Sequence, residues 1–87
     1  MELPFIEEQV GENVFVRIFS EETDSSEYVW HRDREDRIIE SIDVTNWQIQ
    51  LDNELPKDIN SPIFIPKEVY HRIIKGDGSL KLKVIKL

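Results

Sequence analysis

The chain has 87 residues, of which 39% are hydrophobic, and it contains no cysteine. This length suits a single domain, residues 1–87, with a thin core. The lack of cysteine excludes disulfides, cysteine nucleophiles and zinc fingers. Eighteen acidic residues against eleven basic ones give a net charge of -7, which argues against nucleic acid or anionic membranes as partners. No apolar stretch approaches the roughly 20 residues of a transmembrane helix, so we expect a soluble, cytoplasmic protein.

The elements predicted along the chain are strands, and no segment has a helical period. Residues 1–13, with Pro4, Gly11 and four glutamates, are expected to be loosely ordered. Residues 46–51 alternate strictly, which places Trp47, Ile49 and Leu51 on one face. Seven strands are predicted, at residues 14–19, 28–33, 37–42, 46–51, 62–65, 71–74 and 80–84.

The connections between these strands carry turn-forming residues. Residues 52–58 include Pro56 and are predicted to be a loop, and Gly76-Asp77-Gly78 is predicted to form a tight hairpin. Several short strands separated by turns are typical of a β-sandwich or a β-barrel.

The two histidines of the chain have different settings. His31 is followed two residues later by Asp33, and strand alternation places both side chains on the same side. His71 follows a proline-led turn that enters a strand, which holds its imidazole at a fixed place on the sheet. Two histidines and one carboxylate are the ligands of a facial triad, which suits Fe(II) and can also hold Mn, Ni or Zn.

The segment from Asn60 to His71 resembles the second cupin motif, in which a glycine, a proline six residues later and a histidine five further on frame a metal ligand. Pro66 and His71 match in spacing, and Asn60 stands at the glycine position. The first cupin motif, H-x-H with a following glutamate, would begin at His31, with Asp33 in place of the second histidine. The resemblance covers residues 28–74 and implies an all-β, cupin-like double-stranded β-helix, a jelly-roll barrel of about seven strands, with His31, Asp33 and His71 as the metal ligands.

The chain departs from the cupin pattern at several positions. Glu68 replaces the glycine of the turn, Lys75 replaces the closing asparagine, and Arg37 or Ile38 occupies the glutamate position. The pattern H-x-D with a distal histidine is also similar to the 2-oxoglutarate-dependent oxygenases, which hold a cosubstrate carboxylate with a basic residue after that histidine. Lys81 and Lys83 follow His71, but alternation turns them outward, so we rank this resemblance below that to a small cupin.

Two functions from different classes follow. The first is a small cupin-like protein that binds a divalent metal and acts on a small molecule. The second is a metal-free module that binds a ligand or a protein partner. Arg37 distinguishes them, because a cation beside the ligands opposes a divalent ion or binds an anionic substrate. If Arg37 enters the cavity and pairs with Asp33, the metal-free function is favoured.

The plainer alternative is that His31 and Asp33 decorate a solvated strand face and that His71 bonds a backbone carbonyl. Gln48 and Gln50 are further candidates for ligand binding, since they lie opposite the Trp47 face and could line the cavity. A homodimer is expected through Trp30 or Trp47, because a thin-cored barrel with two tryptophans exposes apolar surface that a second copy can cover.

Overall fold

The computed structural model describes residues 3–87, which form two antiparallel β-sheets. The strands are β1 Ile6–Gln9, β2 Val14–Phe19, β3 Arg37–Ser41, β4 Gln48–Leu51, β5 Lys57–Asp58, β6 Ile63–Ile65, β7 His71–Ile74 and β8 Leu80–Lys86. The larger sheet has the strand order β1-β2-β8-β3-β6, and the smaller has the order β5-β4-β7. Between β2 and β3 lies one short 3-10 turn, Ser25–Glu27. Nowhere in residues 3–87 is there a helix with the length and hydropathy of a membrane span.

The core lies between the inner faces of the two sheets. Strand β8 buries Leu80, Leu82 and Val84 and exposes Lys81, as the alternation of its sequence dictates. From the opposite sheet, Trp47 and the inner residues of β4 are buried against them. Trp47 is fully buried, and its indole Nε1 donates hydrogen bonds to the carbonyls of Asp77 and Gly78 in the turn between β7 and β8. Trp47 therefore cannot be the dimer contact considered above.

Six of the seven predicted strands are present, with small changes at their ends. The predicted strand at residues 28–33 is wrong. In that segment only His31 pairs, through an isolated antiparallel bridge with His71 whose two backbone hydrogen bonds measure 3.0 and 2.8 Å. Because the segment is not a regular strand, strict alternation does not apply to it. Tyr28 is buried while Trp30 is 42% exposed on the outer surface, although the alternation of a regular strand would place both on one face.

Two predictions of irregular structure are also corrected. Residues 6–9 form β1, which pairs with β2 over its full length, with Glu7 opposite Arg17. Met1 and Glu2, part of the same expected loose segment, lie outside the described residues. Lys57–Asp58, placed in a predicted loop, form the short edge strand β5 beside β4. Both strands are held by backbone hydrogen bonds, which a polar sequence forms as well as an apolar one.

The predicted tight hairpin at Gly76-Asp77-Gly78 is wrong, because β7 pairs with β4 in the smaller sheet and β8 pairs with β2 and β3 in the larger one. Residues 75–79 instead form a turn that connects the two sheets, and its two glycines have different roles. Gly78 has a φ of 70°, in the left-handed region that favours glycine. Gly76 packs against the chain before β4: a Cβ atom there would lie 2.6 Å from the backbone nitrogen of Trp47. The turn between β7 and β8 and the buried tryptophan therefore fix each other's position.

Candidate metal and ligand site

A cavity of about 330 Å³ lies between the two sheets. Its volume is at the lower end of the range found for small-molecule sites. Most of its wall is apolar, contributed by Phe19, Ile39, Ile49, Ile65, Ile73, Leu82 and Val84. Among the polar and charged residues that also line it are Arg17, Tyr28, His31, Asp33, Arg37 and His71. The cavity thus has the character of a binding site, with an apolar body and a few polar groups.

Backbone pairing brings the two histidines together. His71 begins β7, and its bridge with His31 places the two rings 4.3 Å apart between centroids. Asp33 follows on the same side as His31, as expected. One ligand atom each from His31, Asp33 and His71 lie within 4.8 Å of one another. The structure therefore brings together the three residues singled out in the sequence.

The turn before β7 helps to hold this arrangement. Glu68 has a φ of 64°, so the position at which the cupin pattern has glycine does adopt left-handed backbone here. Its amide nitrogen donates a 2.7 Å hydrogen bond to the carbonyl of Asp33. The turn is thereby tied to the segment that carries His31 and Asp33.

Both imidazoles are oriented by backbone carbonyls. Nδ1 of His71 lies 2.9 Å from the carbonyl of Val69, and Nδ1 of His31 lies 3.1 Å from that of Val29. A carbonyl oxygen can only accept, so each Nδ1 carries a proton, and the neutral form of either ring has its lone pair on Nε2. The carbonyl bond expected from the plainer alternative for His71 is present, and it is also the bond that orients metal-binding histidines.

Asp33 faces His71 with an unsatisfied oxygen. Its Oδ2 is buried, has no hydrogen-bond partner of normal geometry within residues 3–87, and lies 3.2 Å from Nε2 of His71. Burial lowers the pKa of His71 below its ordinary value of 6.5, so the ring is neutral at pH 7. Two acceptor atoms then face each other. A proton donor from a ligand, an added proton or a metal ion between them would satisfy both.

Arg37 also enters this cavity. Its Nη1 lies 3.4 Å from Oδ1 of Asp33, and its Nε and Nη2 donate to Oε1 of Glu35 at 3.0 and 2.7 Å. The side chains of Arg37 and Asp33 are only 13% and 12% exposed. The negative charge of Asp33 is therefore opposed within the protein itself.

The three ligand residues fit a divalent ion by donor type but not fully by position. Two ligands at about 2.0 to 2.2 Å from one ion cannot be more than about 4.4 Å apart. The widest separation in the set reaches 4.8 Å, so a side chain must move for all three to coordinate. His31 is the exposed member of the set and is the one free to do so.

Gln48 and Gln50 are not among the cavity-lining residues. Gln50 accepts two hydrogen bonds from Arg72 and donates one to the carbonyl of Glu54. The expectation that this pair lines the cavity is corrected, because alternation puts them on the outer face of the small sheet, opposite the buried Ile49. The sequence interpretation also overlooked Arg17 and Tyr28. Alternation with Phe15 and Phe19 marks Arg17 as an inward charge, whereas nothing in the sequence marks Tyr28.

Comparison with solved structures identifies the architecture. An RmlC-like cupin from Methanocaldococcus jannaschii superposes with a TM-score of 0.68 at 14% identity, covering 98% of this chain and 81% of that one. A cupin-2 domain protein from Shewanella frigidimarina gives 0.63 at 18% identity, covering 93% and 76%. The chain has a cupin fold. No family model matches the sequence, and no curated protein matches it either.

Larger cupin-fold enzymes match over part of their length. A chain from the DMSP lyase structures RdDddP and RnDddQII gives a TM-score of 0.67 at 17% identity, covering 84% of this chain and 36% of that one. Hydroxypropylphosphonic acid epoxidase from S. wedmorenis gives 0.64 at 17% identity, covering 85% and 42%. The present chain thus spans about two fifths or less of these enzymes.

Proposed function

We propose that this cupin-fold chain is a small-molecule-binding module that binds its ligand in the cavity without requiring a metal ion. The observation that carries the proposal is the pairing of Arg37 with Asp33 inside the cavity. A divalent ion bound by Asp33 would be repelled by the guanidinium, and the carboxylate already has a counter-charge. The buried acceptors Nε2 of His71 and Oδ2 of Asp33 can then each accept a hydrogen bond from a donor group where the bound ligand carries one.

A divalent metal site is the second candidate, and a different observation favours it. Nε2 of both histidines carries a lone pair, and Oδ2 of Asp33 is buried without a hydrogen bond among the described residues. In this function His31, Asp33 and His71 hold Fe, Mn, Ni or Zn. Such an ion would act as a Lewis acid on a ligand bound beside it. HppE, another protein with a similar solved structure, has been solved in its Fe(II) form, which supports the candidate by fold alone.

Elemental analysis of protein purified without an affinity tag, followed by titration with Fe(II), Mn(II) and Zn(II), separates the two. The proposed module is expected to carry metal well below one equivalent and to bind added ions weakly. A stoichiometric ion that survives purification would reject the metal-free function and establish the second candidate. His71→Ala serves as the control, because a genuine metal site loses its ion when one of the side chains that coordinate it is removed.

A further inference from the structure

Arg17 is a charged residue of the cavity wall that has no role in the proposed function above. Arg17 lies on the inner face of β2, opposite Leu82 of β8, and lines the cavity. Its side chain is 14% exposed, and its guanidinium lies over the ring of Phe5 at 4.2 Å from the centroid. A mostly buried arginine on the inner face of a barrel calls for an acceptor, because burying a charge without partners is costly.

The protein supplies Arg17 with one such acceptor. Nε donates to Oε1 of Glu7 at 2.7 Å, and within residues 3–87 no acceptor bonds Nη1 or Nη2. Four N–H groups are therefore left over. Two of them on one edge of a guanidinium match the two oxygens of a carboxylate, in the bidentate arrangement that arginine favours.

The charges around Arg17 indicate the charge of the missing partner. Glu7 also lies 3.9 Å from Nζ of Lys86, so one carboxylate faces two cations. The positive charges of Arg17, Lys86 and Arg37 together hold the pKa of Glu7 below its ordinary value against the effect of its burial. Arg17, Lys86 and Glu7 carry one net positive charge, which a monoanion would neutralise. A phosphate dianion would overcompensate it.

The rest of the cavity wall indicates the chemistry of the ligand beyond its charged group. The aliphatic side chains of the barrel interior surround the cavity, and the buried hydroxyl of Tyr28 has no hydrogen-bond partner of normal geometry among residues 3–87. We infer that the ligand of this cavity is a small organic monocarboxylate, whose carboxylate is bound by Nη1 and Nη2 of Arg17 and whose short apolar body lies against the barrel interior. This inference rests on the proposed ligand-binding function and names its ligand class.

The test is an NMR titration of the ¹⁵N-labelled chain with hexanoate and with the neutral hexanamide. Hexanoate is expected to shift amide signals around the cavity and to bind at least about tenfold more tightly than hexanamide, because hydrogen bonds to a charged group are the stronger ones. Arg17→Gln should weaken hexanoate by about the same factor and leave hexanamide unchanged. Arg34→Gln, which removes an exposed arginine outside the cavity, should change neither.

Glu7→Gln keeps the test decisive if Arg17→Gln does not fold. This variant retains Arg17 and removes the negative charge of the acceptor that it has in the described chain, while the glutamine amide oxygen can still accept. Hexanoate should therefore bind as well as in the wild type or more tightly. Equal binding of hexanoate and hexanamide would overturn the carboxylate inference and leave the ligand-binding function standing. Binding of neither compound at millimolar concentration would overturn the inference and count against that function as well. Unchanged hexanoate affinity in Arg17→Gln would remove Arg17 from the site.

Discussion

Nη1 of Arg37 lies 3.4 Å from Oδ1 of Asp33, while the other oxygen of the same carboxylate lies 3.2 Å from Nε2 of His71. Asp33 thus stands between a permanent cation and a neutral imidazole. The ordinary cupin pattern has a glutamate where this chain has Arg37 or Ile38. A carboxylate at that place would add a fourth side chain able to coordinate a metal ion. The arginine instead competes with a metal ion for the carboxylate of Asp33.

Stability should depend on pH through His71. Burial lowers the pKa of His71 in the folded protein below 6.5, so near that pH the unfolded chain takes up a proton that the folded chain does not. The contribution of His71 to the free energy of unfolding should therefore be complete above about pH 6.5 and should decrease as the pH falls below that value. For one proton the slope is at most about 1.4 kcal/mol per pH unit. Urea unfolding between pH 5 and pH 8 measures this slope.

The matched variant is His71→Asn, whose amide can still donate to the carbonyl of Val69 but does not titrate. Its slope over the same range should be shallower than that of the wild type. The lowered pKa of Glu7 also makes stability fall with decreasing pH, but at lower pH, since its ordinary value is 4.5. Equal slopes in the two proteins would show that His71 does not take up the proton on unfolding.

Gly76 and Gly78, the two glycines of the turn between β7 and β8, should respond differently to alanine. A Cβ atom at residue 76 would meet the Trp47 backbone at 2.6 Å, so Gly76→Ala should cost on the order of 2 kcal/mol or more. At residue 78 there is open space, and only the φ of 70° opposes a side chain, so Gly78→Ala should cost about 1 kcal/mol. Thermal unfolding of both variants ranks them. The reverse order would contradict the packing of the turn between β7 and β8 against the chain before β4.

The two tryptophans should also behave differently. Trp47 is fully buried, so Trp47→Ala should destabilise the fold by about 3–5 kcal/mol. Trp30 lies on the surface with Arg72 over its ring at 4.9 Å. Trp30→Ala should therefore lower the free energy of unfolding by under about 1 kcal/mol and leave the far-UV circular dichroism spectrum of the β-sheets unchanged.

The homodimer remains a prediction, now restricted to the Trp30 surface. Light scattering tests it: a mass near 10.3 kDa refutes the dimer, and a dimer that persists in Trp30→Ala places the contact elsewhere.

The fold could be predicted where residues alternate. In β4 and β8 the apolar side chains recur with period two, and β2 is rich in β-branched and aromatic residues, so these three strands were predicted. Strand β1 was missed because its residues, Ile-Glu-Glu-Gln, bury little and pair through the backbone. Residues 28–33 were predicted as a strand, yet among them only His31 forms a β-bridge, to His71. Pairing is a property of the fold that local periodicity does not contain.

The candidate site could be predicted in part for a similar reason. The spacing of His31 and Asp33 places them on one side of extended backbone, and the cupin resemblance supplied the distant His71. Gln48 and Gln50 were misplaced because the alternation that buries Ile49 turns them outward. The ion pairs of Arg37 with Glu35 and Asp33 could not be predicted from the sequence, because they depend on the distances between side chains.

The most direct test of the account compares Zn(II) binding to the wild type and to Arg37→Gln by calorimetry, with Arg34→Gln as the control that removes an exposed arginine. If Arg37 neutralises Asp33 and opposes a metal, the wild type should bind Zn(II) weakly and Arg37→Gln should bind it at least about tenfold more tightly, with the Arg34 variant unchanged. Tight stoichiometric binding to the wild type, unaffected by Arg37→Gln, would contradict the account and identify His31, Asp33 and His71 as a metal centre.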